Sequence, residues 1–231
     1  MSRTLSSGTA PANQILQFYH NTDPRPDFCG RKLRSILRWS DDRLEAVHNY
    51  IQILFPLPEA SPINPAASTI TEAVFNAFRS GDEEAEGLQA GLRLAFARIA
   101  GFFGFKVLGM NHEGYIEDDA EIALALAENC EERFSNWVVP FSHNHLRITR
   151  IIRCLRVLGL EKEASAFHSM VKAQRNTTKY GGKISTRSIM YWDRAAERPL
   201  WMAPEHSEQQ AIGQPFLIRY EQQLASAEPN E

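Results

Sequence analysis

Stretches in which apolar residues return every three or four positions alternate along the chain with Pro- and Gly-rich stretches that hold no period. The stretch from Leu44 to Pro58 is the most regular. At about 100° per residue it sets Leu44, Val47, Ile51, Leu54 and Phe55 on one face, which predicts an amphipathic helix stopped by Pro56 and Pro58. Ser40, Asp41 and Asp42 precede it with capping and dipole-matched side chains. Upstream, Ile15, Leu16, Phe18 and Tyr19 predict a short first helix. Asp27 is placed to cap a second, with Leu33, Ile36 and Leu37 inward and Arg31, Lys32, Arg34 and Arg38 on a solvated face. Downstream, Thr69 and Thr71 offer caps to a helix carrying Val74, Phe75 and Phe78. The longest pattern runs from Glu83 to Phe103, with Leu88, Leu92, Phe96, Ile99 and Phe103 in a continuous stripe.

The interval from Lys106 to Gly114 reads as a turn, and Ile116 to Phe134 as an acidic, Ala-rich helix with Ile122, Leu126 and Phe134 inward. Ile148, Ile151, Ile152, Leu155 and Leu158 mark a helix over His145 to Leu158, ended by Gly159. Ala164, Phe167, His168 and Val171 mark another over Glu161 to Arg175. Further helices are expected over Ser188 to Glu197 and Glu208 to Ala225, across a bend at Pro199 to Pro204. No segment alternates convincingly with period two. The expected fold is therefore all-α, a single globular multi-helix domain of roughly nine to ten helices with essentially no sheet. Residues 1–13 read as a mobile tail, 14–205 as the helical domain, and 206–231 as a C-terminal helix and tail.

Composition narrows the function classes. A chain of 231 residues with 43% hydrophobic residues fills one core, and a net charge of −3 creates no global basic field for nucleic acid. Cys29, Cys130 and Cys154 are odd in number and lack CxxC spacing, which points to reduced thiols and an intracellular setting. No apolar run resembles a secretory signal or reaches the roughly 18 residues of a membrane span. Asn176-Thr177-Thr178 then reads as a chance glycosylation match. Lys179-Tyr180-Gly181-Gly182-Lys183 lacks phosphate-loop spacing and reads as a hinge.

Candidate chemistry gathers in two blocks. Glu45, His48, Asn49 and Gln52 in the first, with His143, Asn144, Arg147 and Arg150 in the second, would bring carboxylate, imidazoles, amides and guanidinium groups together if their helices pack side by side. Such residues at the edge of an apolar face ordinarily form an interior hydrogen-bond network, since a buried unpaired polar group costs about 1–3 kcal/mol. A ligand pocket and a catalytic site are the alternatives. In an enzyme, His48 would be the acid/base, Glu45 its orienter and Arg147 an anion clamp. Glu45-x-x-His48 is half of a di-iron pattern whose second copy is absent, and neither His143-x-His145 nor the carboxylates Glu117, Asp118, Asp119 and Glu121 demand a metal. No metal or cofactor is expected. Ser142 beside His143 is not a triad. Arg147, Arg150, Arg153 and Arg156 form a ridge that reads as a solvated face paired to Glu131, Glu132 or Glu161, or as a docking surface for an acidic partner. Tyr191, Trp192 and Trp201 read as core closure.

The words HNYIQILFPLP, after Leu44 and Glu45, resemble the signature of the opioid growth factor receptor conserved region. Phe18-Tyr19, Pro26-Asp27 with Gly30, Trp39, Phe102-Phe103-Gly104-Phe105, Asn136-Trp137 and the block from Ser142 to Glu161 extend the likeness in order over residues 14–175. Phe28, Cys29 and the insertion-like Val138 to Phe141 depart from it. The resemblance implies a helical, non-membrane, intracellular binding or regulatory domain taking a small peptide such as met-enkephalin, or another small ligand, between helices. An enzyme of small-molecule metabolism using the His/Glu/Arg group, and a protein-interaction domain using the Arg ridge, are the other readings.

Overall fold

The computed structural model describes residues 11–20, 22–118, 120–177, 179, 181–207, 209 and 213–227. Outside them fall most of the expected tail (1–10), Asp119 of the acidic run, Thr178, Tyr180 of the expected hinge, and the start of the last expected helix at Glu208 and 210–212. The described residues form α1 (Pro11–Tyr19), α2 (Leu33–Leu37), α3 (Asp41–Ala46), α4 (Ile51–Leu54), α5 (Glu72–Arg79), α6 (Glu83–Phe102), β1 (Phe105–Leu108), β2 (Ala123–Leu126), α7 (Cys130–Phe134), α8 (Asn144–Val157), α9 (Glu161–Ala173), α10 (Thr186–Glu197) and α11 (Pro215–Ala227). No helix among them is long and apolar enough to cross a membrane.

Helices α6 and α8 form the centre. Leu92, Phe96 and Ile99 from the first, Phe103 at its C-cap, and Ile148, Ile151, Ile152 and Leu155 from the second are essentially inaccessible to water. Burying each such side chain contributes about 1.5–3 kcal/mol, which is what holds these helices in register. Asp82 caps α6 by accepting from the Ala85 N–H at 2.8 Å, and Thr71 and Ser40 cap α5 and α3 in the same way. A buried ion pair, Arg93 to Glu163 at 2.7 Å, ties α6 to α9. The indole N–H of Trp137 donates to the Phe103 carbonyl and that of Trp192 to the His145 carbonyl, each at 3.0 Å, so the aromatic cluster is fixed by polar anchors.

Three expectations are corrected. The fold is not free of sheet: β1 and β2 pair antiparallel, with Phe105 opposite Leu126 and Leu108 opposite Ala123. The stretch expected as one acidic helix from Ile116 to Phe134 is instead the hairpin's return strand followed by α7, and Leu126, expected inward, is 53% exposed. The hairpin forms because the chain turns at Gly109 and Gly114, both at positive φ, where a Cβ would collide with the carbonyls of Glu121 and Ala90. Second, the stretch from Leu44 to Phe55 is two short helices. Val47 is extended (φ −93°, ψ 125°) and interrupts them. Arg147 of α8 donates to the Leu44 and Val47 carbonyls, and Asn64 donates to that of Asn49, so acceptors that a continuous helix would use are engaged from outside. Third, Asp27 does not cap α2, whose N-cap is Lys32; its carboxylate accepts from the Cys29 and Arg31 N–H groups and pairs with the Arg31 side chain.

Candidate functional site

The break between α3 and α4 turns Glu45 and His48 toward the N-terminal end of α8. Glu45 Oε1 lies 3.2 Å from His143 Nε2, and Glu45 Oε2 accepts from Asn144 Nδ2 at 3.1 Å and faces Arg147 Nη1 at 3.8 Å. The His48 and His143 rings meet edge to face at 5.3 Å, and Arg147 Nη2 donates to His48 Nδ1 at 3.4 Å. Five of the eight predicted site residues thus converge: Glu45, His48, His143, Asn144 and Arg147. Glu45 orients His143 rather than His48. Burial, with Arg147 and His48 alongside, holds the His143 imidazole below its ordinary value despite the opposing pull of Glu45, so it stays neutral near neutral pH. Asn144 and Arg147 are buried beneath, and Glu45, His48 and His143 reach solvent.

The other three point elsewhere. Asn49 accepts from Arg31 Nη1 at 2.8 Å. Arg150 donates to the Phe55 carbonyl at 3.0 Å. Gln52 is 5% exposed, and its side-chain carbonyl oxygen is buried with no hydrogen-bond partner among the described residues. The residue lines a cleft of about 30 Å³ together with Ile15, Phe18, Asp27, Phe28, Ile53 and Pro56, while the oxygen itself is closed off from solvent. Phe28, 47% exposed, forms the outer wall. Sequence reasoning saw Phe28 only as an intrusion after Asp27. An aromatic residue in a turn without apolar period was the available signal that it belongs to a surface feature.

The Arg ridge of α8 is not a solvated face. Arg153, 2% exposed in its side chain, pairs with Glu59 and donates to the Leu200 carbonyl at 3.1 Å and to that of Met202 at 3.4 Å. Arg156 donates to the carbonyls of Ala195 and Arg198, each at 2.9 Å. From Arg147 to Arg156 the four guanidinium groups hold carbonyls at the ends of α3, α4 and α10 and in the turn beyond, the acceptors that helix termini leave unpaired. Of the expected partners, Glu161 pairs with Arg79 and Glu131 with Lys179.

The remaining polar candidates have local partners. His145 is buried. Its Nε2 lies 2.8 Å from the Trp137 carbonyl, which only accepts, so the proton is on Nε2 and Nδ1 accepts from Ser188 Oγ at 2.9 Å. Ser142 Oγ accepts from the Asn144 N–H at 3.2 Å at the start of α8. Glu117, Asp118 and Glu121 are exposed in the hairpin connection. Trp192 is fully buried, and Tyr191 and Trp201 are half-buried.

A family model described as the opioid growth factor receptor (OGFr) conserved region matches residues 10–196. The opioid growth factor receptor of Rattus norvegicus is 38% identical over 153 residues, covering 63% of this chain and 23% of that protein. That of Homo sapiens is 38% identical over 127 residues, 53% of this chain and 16% of its own length. Opioid growth factor receptor-like protein 1 of Xenopus tropicalis is 34% identical over 150 residues, 63% and 26% respectively. The chain thus spans 16–26% of the length of these relatives. No solved structure matches it.

Proposed function

We propose, since this chain belongs to the opioid growth factor receptor conserved-region family, that it is a binding or regulatory domain acting inside the cell, in cytoplasm or nucleus, on a small peptide or similar ligand. The observation that carries this reading is Gln52. Leaving its carbonyl oxygen buried and unpaired costs about 1–3 kcal/mol, and turning the amide so that the oxygen meets a hydrogen-bond donor of a ligand in the cleft it lines recovers that cost. The cleft is too narrow for more than a ligand's polar tip, so its apolar body rests on the rim formed by Ile15, Phe18, Ile53 and Pro56, with Phe28 offering a ring face outside. The family resemblance selects the first probe, met-enkephalin, whose tyrosine side chain ends in a hydroxyl donor.

Isothermal titration with met-enkephalin and with the peptide lacking its tyrosine tests the proposal. Binding by the intact peptide alone, weakened at least fivefold by Gln52→Leu and by Phe28→Ala, is the expected result. Binding indifferent to both substitutions, or none at millimolar peptide, overturns it.

A second reading, an enzyme of small-molecule metabolism, draws support from the Glu45–His143 contact, a carboxylate orienting a neutral, solvent-facing imidazole as general acid/base sites require. Arg147 suits an anion clamp poorly there, because it already donates to two carbonyls and to Asn144. Conversion of a metabolite from cell extract, abolished by His143→Ala and retained in Gln52→Leu, would favour this reading over the first. If no metabolite in the extract changes mass, the enzyme reading is discarded.

A further inference from the structure

Away from both sites, α9 and α10 pack as neighbours and place four ionisable side chains face to face. His168 and Lys172 stand one turn apart on α9, and Asp193 and Glu197 one turn apart on α10, the spacing that puts i and i+4 side chains on one face. His168 Nε2 lies 2.8 Å from Asp193 Oδ1, and one ligand atom each from His168, Asp193 and Glu197 falls within 4.8 Å of the others. We propose that His168, Asp193 and Glu197 form a binding site for a borderline divalent cation of the zinc or cobalt class, bridging α9 to α10.

The donor set is what such ions take: one imidazole nitrogen and two carboxylates, with a further position open toward a surface cleft that Asp193 and Glu197 line. His168 is only 9% exposed, so its ring is held in place before any ion arrives. Glu197 is exposed and its carboxylate makes no hydrogen bond or ion pair with a described residue, which leaves it free as the third arm. The site already draws a cation, because the Lys172 ammonium sits 2.6 Å from Asp193 Oδ1. Three further cations border the cleft and have other partners. Arg175 reaches Thr186 Oγ1, Arg194 donates to the Pro204 carbonyl, and Arg198 donates to that of His206. Lys172 is therefore the competitor that a metal must displace, and its side chain, 41% exposed, has room to swing into water.

This competition supplies the test. The full chain is titrated with Zn²⁺ by calorimetry and with Co²⁺ by visible absorbance, at pH 7.5. The expected result is one site per chain, weakened at least tenfold in Glu197→Gln and in His168→Ala, and tightened severalfold in Lys172→Ala. Glu197 is exposed, so its variant folds even if His168→Ala does not, and neither reading depends on activity. An affinity unmoved by Glu197→Gln and Lys172→Ala would assign the bound ion to other imidazoles, His48 and His143 first among them, and overturn the proposal. So would the absence of a saturable site below millimolar metal.

Discussion

Two regions that share a boundary handle their polar groups in opposite ways. Along α8, each arginine from Arg147 to Arg156 reaches a carbonyl in another part of the chain, and Asn144 and His145 beside them are fully engaged. Across the interface, the segment from Tyr50 to Gln52 buries the Tyr50 hydroxyl and the Gln52 carbonyl oxygen without partners among the described residues. Burial without compensation pushes the Tyr50 phenol up to about 12 even though Arg147 and Arg98 stand near it. Satisfied networks add rigidity, and buried groups without partners carry a free-energy cost that a new partner would relieve. The satisfied network thus lies on α8 and the unpaired groups at the start of α4, where the proposed ligand would act.

The comparison is broken most directly at Arg153. Replacing it with Ala leaves Glu59 and two carbonyls without their donor, and urea unfolding should record a loss of about 3 kcal/mol. A loss under about 1 kcal/mol would mean that the carbonyl contacts along α8 are incidental. Arg147→Lys should follow at about 1–2 kcal/mol, since an ammonium cannot reproduce a fork that reaches Leu44, Val47 and Asn144 together. If Lys is as good as Arg here, charge rather than geometry is what α8 supplies.

On the open side the sign reverses. Gln52→Leu removes an unpaired buried acceptor and should leave the free protein unchanged or more stable by up to about 1 kcal/mol, even as it weakens peptide binding. Destabilisation by that variant would reveal a partner for the amide and close the comparison. The smallest effect is a pH dependence from His145. Burial, aided by His143, holds its imidazole below the ordinary value despite the raising influence of the Trp137 carbonyl. The folded state then binds fewer protons than the unfolded one, so stability is lost as pH falls through about 6.5 toward the folded value and is flat above it. His145→Gln should flatten that slope in thermal melts between pH 5 and 7. An unchanged slope would move the effect to His143.

The helices with long stripes and side-chain caps were legible in the sequence. Thr71 and the apolar series from Leu88 to Phe103 describe α5 and α6 almost as they stand, because local pattern and burial agree there, although the Asp82 cap of α6 was not read. The hairpin was not. Ala123 to Leu126 carries good helix formers, and its pairing is imposed by turns at Gly109 and Gly114 and by packing against α6 and α9. The split between α3 and α4 was hidden for a related reason. Leu44, Ile51, Leu54 and Phe55 are all buried, as one helix would have them, while the interruption comes from Arg147 and Asn64, which lie far off in the chain. Five site residues converge because α8 carries both halves of their support. Gln52 and Phe28 were legible only as an amide at the edge of an apolar face and an aromatic in a turn.

The grip of α8 on its surroundings also sets an order of events during synthesis. Arg147 and Arg150 find acceptors made about a hundred residues earlier, but those of Arg153 and Arg156 include Leu200, Ala195 and Arg198, which leave the ribosome only after α8 has emerged. Until then two guanidinium groups lack part of their final partners and the helix cannot seat fully, so locking of the domain is tied to the arrival of α10 and the turn beyond it.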